Sequence, residues 1–145
     1  MMRINRRVDY AIRVLIALAK QPAGARLSTR TIQKTMWIPR AFLSRIIAEL
    51  SKAKIIDTFP GPNGGVQLLR DPREINIRLI WEVMDKPLVI SDCLENPEEC
   101  PLNFGCPVNA CWGRIQALVL REMEMTTIAE LARKVRDAEL VGVAV

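Results

Sequence analysis

All four cysteines of this chain fall within the stretch CLENPEECPLNFGCPVNAC, at Cys93, Cys100, Cys106 and Cys111. Thiolates are the usual ligands of iron–sulfur clusters, and Pro97, Pro101, Asn103 and Gly105 between the first three are expected to hold a loop rather than a helix. The spacings C-x6-C, C-x5-C and C-x4-C lack the C-x-x-C pair of most structural zinc knuckles, and no histidine is present to complete a zinc site. Zinc is therefore the weaker metal reading. Redox-active thiols and inert buried cysteines are the alternatives. The inert reading suits Cys111, because Val108, Cys111, Trp112, Ile115, Leu118 and Val119 share one helical face. Disulfides need an oxidising compartment. The opening MMRINRRVDYAIRVLIALAK has no apolar core followed by a small-residue cleavage site, so a cytoplasmic chain is expected.

The elements that position these thiols must come from 145 residues, half of them apolar, which is enough for one compact domain with an appended arm. No apolar run is long enough to span a bilayer. The net charge of +5 is unevenly spread. Residues 1–70 hold thirteen Lys or Arg against three acids, and residues 71–145 hold eight against thirteen. A basic first half suits a polyanion. Hydrolytic catalysis is not expected, since there is no histidine to act as a general base and no nucleophile motif.

Apolar periodicity predicts a first helix over 5–20, with Val8, Ala11, Ile12, Leu15, Ile16 and Ala19 inward. Ser28 is placed to cap a second helix ending at Met36. A turn, Trp37-Ile38-Pro39-Arg40, leads into a third helix reaching Lys52, with Phe42, Leu43, Ile46, Ile47 and Leu50 as its inward stripe. Two short helices joined by a tight turn, the second presenting small, polar and basic residues at its start, form a helix-turn-helix. The segments 54–59 and 66–69 read as strands around the tip PGPNGG, a hairpin wing. A connecting helix follows over 76–85, then the cysteine loop, a long helix over 107–124 with the apolar seam already described, and a last helix opened by a Thr127/Glu130 capping box. The exposed seam suits a dimer helix.

This order resembles the bacterial Rrf-type transcription regulators, the family of IscR and NsrR, over residues 2–135. The motifs that carry the resemblance are VDYAIRVLIALA, IPRAFLSRIIAELSKAKII, GPNGGVQL, and Cys93, Cys100 and Cys106 followed by Trp112. It implies a mainly α fold with a small β-hairpin wing: a winged helix-turn-helix with its connecting helix over 1–86, a cluster-binding loop over 87–106, dimerisation and final helices over 107–137, and a tail. It further implies a homodimer on near-palindromic double-stranded operator DNA, controlled by a two-iron or four-iron cluster that senses iron, nitric oxide or redox state. A repressor of the same fold without a cluster, with the cysteines as thiol switches or structural residues, is the alternative. Where the IscR branch has a histidine ligand this chain has Asn109. The NsrR branch instead uses a carboxylate supplied across the dimer, which matches Asp9, and Cys111 is the competing fourth ligand. Arg3, Arg7, Arg26, Arg30 and Lys34 are expected at phosphates. Arg40, Ala41, Ser44 and Arg45 are expected to read bases, with Asn63 and Gly64 at the wing. Pro60 stands where the family often has a wing arginine, implying weaker or altered minor-groove contact.

Overall fold

The computed structural model describes residues 4–140 and 142, so Arg3 and most of the tail lie outside the described residues. The elements run α1 (Arg6–Ala19), α2 (Thr29–Met36), α3 (Arg40–Lys52), β1 (Ile56–Phe59), β2 (Gly65–Leu68), α4 (Ile77–Met84), α5 (Asp92–Glu95), a 3-10 turn (Pro97–Glu99), α6 (Pro107–Met125) and α7 (Ile128–Leu140). The mainly α architecture with one hairpin is the one the sequence predicts.

Capping chemistry sets most of the helix starts. The side chains of Asn5, Ser28 and Asn76 accept backbone N–H groups at the starts of α1, α2 and α4, donors that have no partner within the helix itself. Thr127 Oγ1 accepts from Glu130 N at 3.2 Å. The reciprocal half of the expected box does not form, because the Glu130 carboxylate pairs with Lys134 at 2.6 Å. That ion pair holds the Glu130 carboxyl below its ordinary range.

The core differs from the single stripe expected on α1. Val8, Ala11, Val14, Leu15, Ala17 and Leu18 are buried, whereas Ile12 and Ile16 are only partly so. The reason is that α1 is covered on several sides, by α2, α3, α4, α7 and β2. Around it lie Ile32, Ile46, Leu50, Ile55, Ile56, Ile80 and Ile128, all essentially out of water, and each contributes about 1.5–3 kcal/mol of burial. Phe42 departs from the expected inward stripe of α3. It is 40% exposed and stands edge-on to Tyr10 of α1, ring centroids 5.5 Å apart.

β1 and β2 pair antiparallel with Ile56 opposite Leu68 and Phe59 opposite Gly65. Leu27 adds a single bridge to Val66. After α6 the chain returns to the core. Ile128 donates its N–H to Ile75 O at 2.8 Å and Ile77 donates to Thr126 O at 3.1 Å. α7 then packs along α1, with a Lys20–Glu139 ion pair at the far end. No helix among the described residues is long and apolar enough to cross a membrane.

Candidate DNA interface and cysteine loop

An open concavity of about 700 Å³ lies between α2, α3 and β1, lined by Thr29, Arg30, Gln33, Arg40, Leu43, Ser44, Ile47 and Thr58. It gathers three of the expected DNA contacts, Arg30, Arg40 and Ser44, on one surface. Ala41 and Arg45 are exposed on the adjoining face of α3, and Lys34 is exposed on α2. The Ser44 hydroxyl donates to Arg40 O at 3.2 Å, one turn back along the helix. Arg26 lies with its guanidinium 3.5 Å from the centroid of the Phe59 ring, which fixes a cation against the wing. Among the described residues, none of Arg26, Arg30, Lys34, Arg40 and Arg45 is held in an ion pair. Their charge faces solvent.

Arg7 is placed differently from expectation. Its Nη2 sits against both carboxylate oxygens of Glu49, 2.6 Å from Oε2, tying α1 to the recognition helix. The hydrogen bond that Arg7 donates to Glu49 raises the guanidinium pKa further. Thr29, Gln33 and Thr58 were not singled out in the sequence, though Gln33 follows Thr29 and Arg30 at helical spacing and so had to share their face.

At the wing, Asn63 is exposed, while Gly64 is packed against the turn. A Cβ on Gly64 would stand 2.0 Å from Phe59 O. Gly64 therefore closes the hairpin through its missing side chain. Gly64→Ala is expected to destabilise the fold by about 3 kcal/mol, read as a lower urea midpoint with unchanged slope.

The cysteine stretch is less loop-like than expected. Cys93 lies inside α5, and Cys100 directly follows the 3-10 turn that begins at Pro97. Leu94 of α5 packs beside Gly113 of α6, its Cδ2 3.9 Å from where a Cβ on that glycine would stand, an ordinary van der Waals contact. The Cys93 end of the stretch is tied to α6 by two hydrogen bonds, and the other end, Cys106, is the N-cap of that helix. Ile90 donates its N–H to Gln116 Oε1 at 3.1 Å, and Asn109 Nδ2 donates to Cys93 O at 3.0 Å. Asn109 thus braces the loop at the position where the IscR branch has a ligand. The middle carries local turn bonds, Asn103 N to Cys100 O and Cys106 N to Asn103 O. Its tip exposes Leu102 and, entirely, Phe104.

All four thiols are unpaired and partly exposed. As donors, three soft sulfurs in one loop suit an iron–sulfur cluster. Among the described residues, no three His, Cys, Asp or Glu side chains converge as they would around a metal ion. Asp9 stands apart on α1. Its Oδ2 is shielded from water and lacks a hydrogen-bond partner, although Arg13 Nη2 approaches to 3.0 Å and Arg6 Nη1 to 3.8 Å. Those contacts carry charge without hydrogen-bond alignment, and they leave a lone pair of the carboxylate unused. Cys111 lies partly buried on α6 beside Trp112, within a face whose Val108, Trp112, Ile115 and Leu118 are exposed.

A helix-turn-helix followed by a hairpin wing, with unpaired cations along one face, defines a winged-helix DNA-binding protein. Residues 4–134 match the Rrf2 family model, described as an iron-dependent transcriptional regulator. The chain belongs to this family and is a DNA-binding transcription regulator, not an enzyme. It is 29% identical over 131 residues to the HTH-type transcriptional regulator NsrR of Shouchella clausii, covering 90% of this chain and 88% of that one. Its fold is similar to the structure of CymR, the global cysteine regulator of B. subtilis, with a TM-score of 0.72, 22% identity and coverage of 92% and 98% of the two chains. It is likewise similar to T. potens IscR, with a TM-score of 0.73, 20% identity and coverage of 99% and 93%.

Proposed function

We propose that this regulator works as a cytoplasmic homodimer whose operator binding is controlled by an iron–sulfur cluster held on Cys93, Cys100 and Cys106, with Asp9 supplied across the dimer. The observation that carries the reading is the arrangement of the thiols. Three cysteines without disulfide partners share one segment whose Cys93 end is hydrogen-bonded to α6, whose Cys106 end runs directly into that helix, and whose middle carries local turn bonds. Ligand side chains of that kind are commonly drawn together by the group they bind. Asp9 supports the role of oxygen ligand in that its Oδ2 has no hydrogen-bond partner, though Arg13 and Arg6 lie against it as counter-charges. The exposed apolar line of α6, Val108, Trp112, Ile115 and Leu118, supports a dimer built along that helix. Such a cluster would make the protein responsive to iron supply, nitric oxide or oxidants.

The chain's own residues divide the work accordingly. Arg26, Arg30 and Lys34 meet phosphates, and Arg40, Ala41, Ser44 and Arg45 face base edges. The domain limits follow the same division: a winged unit over 1–86, the thiol segment over 87–106, the dimerisation helix and final helix over 107–137, and a tail over 138–145. Gathering the thiols next to α6 shifts the spacing of the two recognition helices, and hence their fit to half-sites about one DNA turn apart.

The test is iron and acid-labile sulfide content, with a visible absorption spectrum, on protein purified without oxygen, followed by operator binding before and after iron removal. Both elements should be present and binding should change. If neither is retained after reconstitution, the cysteines are thiol switches or structural groups, and only the DNA-binding function stands.

A further inference from the structure

Trp37 breaks two local rules at once. It ends α2 in the left-handed region, at φ 53° and ψ 46°, a conformation that glycine adopts freely and that strains a bulky side chain. It is also 85% exposed, so its ring gains little from burial. The backbone there is fixed by Ile38 N–H donating to Gln33 O at 3.2 Å, so the strain is built into the turn. The indole N–H of Trp81 donates to Lys86 O. That of Trp37 has no protein acceptor among the described residues. An exposed, strained aromatic whose cost is not recovered within its own chain points to a contact made elsewhere.

The surroundings identify that contact. Gln33, one turn earlier, and Arg40, three residues later, both line the concavity between α2 and α3. Trp37 therefore stands at the corner where that surface ends. The cations near it are Lys34, Arg40 and Arg13, whose Nη1 lies 3.5 Å from Met36 O. Asp9, the acid beside Arg13 on α1, is already paired with it. A flat apolar ring in a cationic frame suits the deoxyribose–phosphate strand, with sugar carbons for the ring face and a phosphate oxygen for the indole N–H.

We propose that Trp37 is a further DNA-contacting residue, packing on the backbone strand at the edge of the groove that α3 reads. The inference rests on the DNA face assigned above and adds a contact to it. A contact of this kind extends the footprint without adding charge.

The test uses full-length wild-type protein, Trp37→Gly and Trp37→Phe on a duplex selected from a randomised library by the wild type. Trp37→Gly should weaken binding about ten-fold. The slope of log affinity against log salt should not change, because an apolar contact releases no counterions. The unfolding midpoint should be no lower than that of the wild type, since glycine relieves the turn, and Trp37→Phe should keep most of the affinity. Arg45→Ala serves as the control. If Arg45→Ala weakens binding and Trp37→Gly does not, the inference is overturned and the DNA face stands. If neither weakens it, both fall. If Trp37→Gly instead shifts the protein to a smaller species, Trp37 is a subunit contact and the inference is wrong.

Discussion

Raising salt from about 50 to 200 mM is expected to weaken operator binding about a thousand-fold, the largest single effect the charge distribution implies. Arg26, Arg30 and Lys34 carry the phosphate assignment in each subunit, and no ion pair holds them among the described residues. In a dimer they would release counterions from about six phosphates, a slope near −5 in log affinity against log salt. Lys34→Ala, which in the proposed dimer removes two cations, should lower the magnitude of that slope by about 2 and weaken binding alike on all sequences. Arg7→Ala should leave the slope alone, because its charge is already held by Glu49 across the α1–α3 seam. A salt-insensitive interaction, or an Arg7 variant with a reduced slope, would contradict this division of the cations. Titration by fluorescence anisotropy at four salt concentrations is sufficient to decide it.

Replacing Cys100 with alanine is expected to abolish bound iron and the visible absorption band, because two thiolates and one carboxylate are too few to hold a cluster. The fold should survive. None of the four cysteines is in the buried core, and far-UV circular dichroism should match that of the wild type. Cys111→Ala is expected to retain the band. Asp9→Ala should retain iron under strict exclusion of oxygen but lose it quickly in air, as oxygen ligation gives way to solvent. The reverse pattern, a bleached Cys111 variant beside an unaffected Asp9 variant, would make Cys111 the fourth ligand. Either result must also account for Arg13 and Arg6, which lie against the Asp9 carboxylate and lose their counter-charge when it is removed.

Local chemistry was sufficient wherever the partners lie close together along the chain. Asn5, Ser28 and Asn76 fixed three helix starts because capping involves only a side chain and the backbone two or three residues on. The wing was legible for the same reason: PGPNGG can close a hairpin and do little else. The clustering of cysteines and the basic first half were plain in composition, and together they bounded the chemistry to thiol ligation and polyanion binding.

Other features depended on partners distant in sequence. Periodicity gave α1 one buried stripe, but α7 returns from more than a hundred residues away to cover a second side, so Val14, Ala17 and Leu18 are buried as well. Phe42 has the spacing of a core residue, but it lies at the edge of the core, partly exposed and edge-on to Tyr10. Arg7 carried the charge of a phosphate contact, and its ion pair with Glu49 on another helix could not be read from the sequence. Asn109 was a missing ligand in the sequence and became a brace once α6 brought it beside Cys93 O. Residue types and spacing, which the chain carries by itself, determined the class of chemistry and the local turns. Which charge meets which partner, and which faces stay wet, was decided by long-range packing, because those energies exist only after distant segments share a surface.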